Sequence, residues 1–172
     1  MSRNPSLART ERLILRRLNP GDREALRDVL GDPVVMRYSM GTLRPETVPA
    51  WIDERVAEYA RWGFGLWGLE LIEGSRLIGY CGLTVIEIEE SSEVEIGYRL
   101  ARAHWGQGLA SEAASAVRDY ALGDLGVRRL VALIDPANRA SSRVARKLGM
   151  RDARPVMLPG YDHPDRLYVL KA

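Results

Sequence analysis

Residues 93–114 read Glu-Val-Glu-Ile-Gly-Tyr-Arg-Leu-Ala-Arg-Ala-His-Trp-Gly-Gln-Gly-Leu-Ala-Ser-Glu-Ala-Ala. Val94, Ile96, Tyr98 and Leu100 alternate along one face of a strand. The strand runs into a tight turn, Trp105-Gly106-Gln107-Gly108, and an alanine-rich helix opens directly out of it. Glycines free such a turn to adopt backbone angles closed to other residues and let a ligand approach the main chain. The first N–H groups of the helix have no partner within it, and the helix dipole makes that end electropositive. Strand, glycine turn and helix start together predict a phosphate cradle. No Gly-Lys-Ser/Thr follows the turn, which excludes a nucleoside-triphosphate loop. The third glycine of a dinucleotide fingerprint is also missing.

A second motif lies one strand further on, Asp135-Pro136-Ala137-Asn138-Arg139-Ala140-Ser141-Ser142-Arg143-Val144-Ala145-Arg146-Lys147-Leu148-Gly149-Met150. Asn138 suits a helix N-cap, and Gly149 suits a C-terminal stop. Ala140, Val144 and Leu148 recur every four residues and predict the buried stripe between them. The first motif resembles the coenzyme A pyrophosphate loop of the GNAT superfamily of N-acetyltransferases, Gln/Arg-x-x-Gly-x-Gly/Ala. Trp105 stands at the first position, as in the Trp-Gly-x-Gly variant of the branch that acetylates the alanine or serine N-termini of ribosomal proteins. The second motif resembles the superfamily's Asn-x-x-Ser…Lys-Leu-Gly-Phe segment, and the two stand in its order and spacing. Arg12-Leu13-Ile14-Leu15-Arg16 and Asp32-Pro33-Val34-Val35-Met36 are similar to the same ribosomal-protein branch.

The rest of the chain supplies the elements such a fold needs. Strands are expected at 12–18, 66–72, 77–86, from Glu93, at 129–134, 152–158 and 166–170. Helices are expected after Asn19-Pro20, from Thr47 with Val48, Ile52, Val56 and Tyr59 inward, from Gly108 to Leu122, and after Asn138. Residues 34–38 add a helical turn, and residues 87–92 are expected to form a charged, mobile turn. The resulting order is β-α-α-β-β-β-α-β-α-β-β. It predicts an α/β (α+β) fold with a mixed, mostly antiparallel sheet of about seven strands and helices on both faces. Residues 1–8 are expected to be a flexible N-terminus, and residues 9–172 one acetyltransferase domain.

Composition sets the outer bounds. A net charge of +2 over 172 residues does not call for nucleic acid or membrane as partner. The cations are almost all arginine, Lys147 and Lys171 being the only lysines. Cys81 is the only cysteine and lies in an apolar run, so neither a disulfide framework nor a zinc cluster is expected. With no signal peptide and no 18-residue apolar span, the expectation is a cytoplasmic protein.

The resemblance assigns the cofactor site. Acetyl-CoA is the implied co-substrate, with no metal. Its pantetheine arm would pair with the main chain at Tyr98, Arg99 and Leu100, and its pyrophosphate would meet Gly106, Gln107, Gly108, Leu109 and Ala110. Asn138 and Ser141 belong to the same expected site, and Arg102, Arg143 and Arg146 are candidates for the outer phosphates. Strand parity supplies a catalytic base. Glu93, Glu95, Gly97 and Arg99 share one face of a strand that should be apolar on both. Burying a carboxylate is costly, so Glu95 on that face points to a cleft. Ser141 is the position that the ribosomal-protein branch uses near the departing thiolate. Ala145 stands where many relatives carry a tyrosine seven residues after the Asn. Tyr38, Trp67, Glu93, Tyr161 and His163 are the candidates for acceptor contacts.

The expected partner is a small-molecule amine or a protein N-terminus, with a homodimer as a further assembly to test. The leading reading is an N-acetyltransferase acting on an α-amino group by direct attack in a ternary complex. Its alternatives are acetylation of a polyamine or antibiotic, and a non-catalytic acyl-CoA-binding regulatory module.

Overall fold

A computed structural model describes residues 6–172. It contains a mixed, mostly antiparallel sheet of eight strands, in the order β1-β2-β3-β4-β5-β6-β8-β7. The strands are β1 Ser6–Arg9, β2 Leu13–Arg17, β3 Leu66–Leu71, β4 Leu77–Ile88, β5 Ser91–Leu100, β6 Arg129–Ile134, β7 Arg151–Val156 and β8 Asp165–Lys171. The helices are α1 Arg23–Leu30, α2 Val48–Trp62, α3 Leu109–Gly123 and α4 Arg139–Lys147. Only β5 and β6 run parallel, as the crossover through α3 requires.

The sheet has one strand more than expected. Ser6–Arg9 pairs antiparallel with β2, so residues 6–8 belong to the sheet rather than to a loose terminus. Residues 1–5 of the expected flexible segment lie outside the described residues. The expected mobile turn at 87–92 is also corrected. β4 runs to Ile88 and β5 starts at Ser91, leaving a two-residue turn at Glu89-Glu90. Glu89 takes a φ of +56°, and Arg154 clamps its carboxylate with two hydrogen bonds of 2.9 and 3.0 Å. Residues 34–38 form turns and a bend instead of a helical turn.

Apolar side chains divide between the two faces of the sheet. On one face α3 and α4 bury Leu109, Ala113, Val117, Ala145 and Leu148 against Leu13, Leu15, Trp67, Cys81, Leu83 and Ile96. On the other, α1 and α2 cover Leu18, Leu66, Leu77 and Tyr80 with Leu26, Leu30, Val48 and Ile52. A smaller cluster on the far strands contains Ile88, Val131, Val156 and Leu167. Two helical stripes turn differently from their sequence spacing. Val56 is 38% exposed, and α4 buries Ser142 and Ala145 with the following Leu148 while Ala140 faces solvent. The period of four drifts around a short helix, so spacing alone sets its face only to within a residue.

The edges of the core are pinned by polar groups. Asn19 caps a short 3₁₀ turn, Pro20–Asp22, that leads into α1. Asp22 is buried and forms a bidentate pair with the Arg16 guanidinium at 2.9 and 2.7 Å, and Arg16 Nε also donates to Glu70 at 2.7 Å. The Tyr59 hydroxyl accepts from Leu18 N–H at 3.0 Å and donates to the Leu66 carbonyl. None of the helices in the described residues is long and apolar enough to cross a membrane.

Candidate active site

β5 and β6 part company in the middle of the sheet. They are paired at Val94–Leu130 and Glu95–Val131, and no pairing follows although both strands continue. Beyond that point the strands line opposite walls of a cleft of about 830 Å³. Ile96 to Leu100 form one wall, and Ala132 to Asp135 with the start of α4 form the other. Main-chain groups of β5 are thereby left without a strand partner on that side, which is what a linear amide-bearing ligand needs.

One end of the cleft is the glycine turn. Gly106 and Gly108 take φ values of +74° and +80°, in the left-handed region that side chains disfavour. Gly108 is the N-cap of α3, and no side chain caps that helix. The first intrahelical bond comes from Glu112 N–H to the Gly108 carbonyl, so the N–H groups of Leu109, Ala110 and Ser111 remain for a ligand. Arg143 and Lys147, on α4, also line the cleft. The Trp105 indole N–H donates to the Leu100 carbonyl at 2.8 Å and ties the turn to the end of β5. An uncapped helix start and two glycines fit a pyrophosphate.

Several expected contacts fall elsewhere. Arg102 sits in an exposed 3₁₀ turn and does not line the cleft. The Gln107 side-chain amide donates back to the Ala103 carbonyl at 3.1 Å and its main-chain carbonyl accepts from Arg12, neither of which uses the main-chain N–H expected to meet the phosphate. Arg146 Nη2 faces the Tyr168 hydroxyl at 3.5 Å. The motif left Arg12 unmarked as a neighbour of the turn. It grips Glu112 at 2.8 and 2.6 Å, and a side chain on Gly108 would come within 3.6 Å of Arg12 Nη2. The pairing spans 100 residues of sequence and leaves no local signal.

Glu95 lies at the base of the fork, between the two clusters that cover its face of the sheet. Its Oε1 accepts from Leu133 N–H at 3.2 Å, across the gap the strands leave, and Thr84 donates to Oε2 at 3.4 Å. Burial pushes its pKa up to about 7 against these two hydrogen bonds, and the charge of Asp165 adds to the rise. Glu93 differs: it pairs with Arg129 at 2.9 and 3.1 Å outside the cleft, so its expected acceptor role gives way to a strand-to-strand ion pair. Trp67 is likewise corrected. It is 4% exposed, in the core on the α3 face, edge-on to Tyr120.

Asn138 caps α4, its side chain accepting from Ser141 N–H at 3.1 Å. Ser141 lines the cleft, and its carbonyl accepts from the Tyr98 hydroxyl at 3.1 Å. That bond links β5 to α4 across the fork. Ala145 is buried, so α4 carries no hydroxyl at that position. Tyr38 also lines the cleft and donates to the Ala137 carbonyl at 3.3 Å. Arg99 lines the cleft with its guanidinium against the Met36 sulfur.

The far end of the cleft is acidic. Tyr161, Asp135 and Asp165 line it beside Glu95. His163 stands next to them, with Nε2 3.0 Å from Asp135 Oδ2 and Nδ1 2.6 Å from Asp162 Oδ1. The carboxylates of Asp162 and Asp135 raise the His163 pKa above its ordinary value. Asp135 and Asp165 escaped notice in the sequence because nothing local distinguishes them; 30 residues separate them in the chain.

Comparison with known proteins gives the same picture. A family profile described as "Acetyltransferase (GNAT) domain" matches residues 12–151. The uncharacterized protein YkkB of Bacillus subtilis is 36% identical over 148 residues, covering 86% of each chain. An acetyltransferase from Agrobacterium tumefaciens str. C58 superposes with a TM-score of 0.83 at 30% identity, over 100% of this chain and 97% of that one. The ribosomal-protein acetyltransferase RimL in complex with coenzyme A shares the fold, with a TM-score of 0.81 at 19% identity, over 97% of this chain and 98% of that one. With a forked sheet, a glycine turn at a helix start and a family match over most of its length, the chain belongs to the GNAT acetyltransferases.

Proposed function

We propose that this protein transfers the acetyl group of acetyl-CoA to an α-amino group, that of a peptide N-terminus or an amino acid. The observation that carries the reading is Glu95, a carboxylate at the base of the fork with a pKa raised to about 7. A free α-amine titrates at pH ~7.7–8.0 and a lysine side chain at ~10.4. Glu95 is therefore nearly matched to an α-amine and poorly matched to lysine, which would cost about 1.36 kcal/mol more for each pKa unit.

When bound, acetyl-CoA supplies the activated thioester. The free N–H groups at the start of α3, with Arg143 beside them, hold the pyrophosphate. The unpaired edge of β5 at Tyr98 to Leu100 aligns the pantetheine arm. Glu95 takes the proton of the attacking amine, directly or through one water. Ser141 donates a hydrogen bond toward the departing sulfur, and Tyr98 positions it by holding its carbonyl. The amine attacks the thioester directly in a ternary complex; Cys81 is buried and its thiol pKa is pushed up, which removes it as an acyl carrier.

The deciding experiment compares a short peptide bearing a free N-terminus with its N-blocked, lysine-containing counterpart. Faster acetylation of the free N-terminus is expected. Faster acetylation of the blocked peptide would sink the α-amine reading.

A further inference from the structure

At the acceptor end of the cleft, Asp165 is an oddity. Its side chain is 9% exposed, and its Oδ1 has no hydrogen-bond partner among the described residues. A buried carboxylate oxygen without a donor is costly unless something brings one. Asp135 stands beside it, 14% exposed, with Oδ1 accepting from Ala137 N–H at 2.7 Å and Oδ2 turned to His163. The His163 Nε2, Asp135 and Asp165 ligand atoms all lie within 4.8 Å of one another. His163 gives one nitrogen to Asp162, so its other nitrogen bonds Asp135 only when the ring is an imidazolium. When protonated, His163 is a cation of the chain's own seated against Asp135, and its Nε2 stops 4.0 Å short of Asp165 Oδ1.

The position of this pair relative to Glu95 follows from the strand register. Glu95 bonds Leu133 N–H, Leu133 is paired with Leu167, and Asp165 lies two residues before Leu167. Two residues of strand span roughly 7 Å. The base and the unpaired carboxylate therefore face one cleft a few bond lengths apart. Arg143 and Lys147 lie further along α4, and Arg139, at its start, also lines the cleft four residues after Asp135. Arg99 is turned to the Met36 sulfur.

We propose that Asp135 and Asp165 form a cation subsite that recognises a second positive charge on the acceptor, an ammonium or guanidinium a few bonds from the amine acetylated at Glu95. The acceptor class is then a peptide or amino acid whose first residues are basic, a diamine being a second source of the same chemistry whose reacting amine is less well matched to Glu95. The second cation donates to Asp165 Oδ1, and His163 yields Asp135 to it. The subsite rests on the acetyl-transfer reading for its catalytic readout, but its binding can be measured without turnover.

The test uses paired acceptors that differ only in the second charge: lysyl-alanine amide against norleucyl-alanine amide, and putrescine against butylamine. The dicationic member of a pair should be favoured in kcat/KM by about tenfold or more, the strength of one charge-assisted hydrogen bond. A preference within one pair only identifies the peptide or the diamine as the source. In Asp165→Asn and in Asp135→Asn the preference should shrink toward unity, and melting temperatures identify a variant that has failed to fold. Calorimetry of putrescine and lysyl-alanine amide on the coenzyme A-loaded protein gives the same comparison without chemistry. Equal treatment of both members of each pair, with acetyl transfer intact, overturns the subsite alone. Binding that depends on Asp165 without acetyl transfer keeps the subsite and overturns the transfer reading. Tight binding of zinc or magnesium that neither dication displaces makes the cluster a metal site and overturns the proposal.

Discussion

Glu95 has two measurable consequences with signs fixed by the same shift. In its proposed role as base it works only when ionised, so kcat/KM should rise with pH through a limb near 7. Glu95→Gln should lose that limb and about 10²-fold in turnover, with acetyl-CoA affinity little changed. The stability effect runs the other way. A folded-state pKa above the ordinary 4.5 means that the folded protein binds more protons than the unfolded chain between about pH 4.5 and 7. Wild type should therefore lose stability relative to Glu95→Gln as pH rises through that window, read as a widening difference in melting temperature. Both effects vanish if the carboxylate titrates normally. Asp22 is the structural contrast. It is buried in a bidentate pair with Arg16, and Asp22→Ala should cost about 1.5–3 kcal/mol by removing that charge-assisted pair and leaving Arg16 only Glu70, with no pH limb in activity. Alternation along β5 was enough to put Glu95 on a face that ought to be apolar. The partners that define its chemistry, Leu133 and Asp165, come from other strands and were invisible.

Among the elements, those with strong local punctuation were legible. Asn19-Pro20 opens the α1 segment, Gly63 with a φ of +77° ends α2, and Asn138 caps α4. The misses share a cause, which is that pairing overrode local character. Ser6–Arg9 has too few residues to show a period and becomes a strand because β2 offers it an edge. Residues 87–92 look like a charged loop, yet Ile86 and Ile88 point inward while Glu87 and Glu89 stay on the wet side. The turn closes on Glu89 in the left-handed region, a conformation costly for a non-glycine residue and held here by Arg154. Arg154→Ala should loosen this hairpin, raising amide exchange at residues 87–92 while leaving the glycine turn protected as before. Unchanged exchange would show that the hairpin does not need the clamp.

Across the whole molecule, one cleft joins the glycine turn at the start of α3 to the carboxylates at Glu95 and Asp165, and the sheet fork connects them. Ligand binding at the glycine turn should therefore be separable from chemistry at Glu95. Coenzyme A at 100 times its dissociation constant should add about 2.7 kcal/mol to stability. For a domain of this size that is a rise of roughly 5–10 °C in melting temperature. Gly108→Asp should abolish the rise for two reasons that act together. The residue takes a φ of +80°, which Asp adopts with some strain, and its carboxylate would stand at the uncapped start of α3, the proposed pyrophosphate site. Gly108→Ala keeps the strain without the charge and should retain part of the shift. Glu95→Gln and Asp165→Asn, at the other end, should retain all of it. An equal shift in wild type and Gly108→Asp would remove the cofactor from this turn, and a shift lost in Glu95→Gln would mean that the two ends do not act separately.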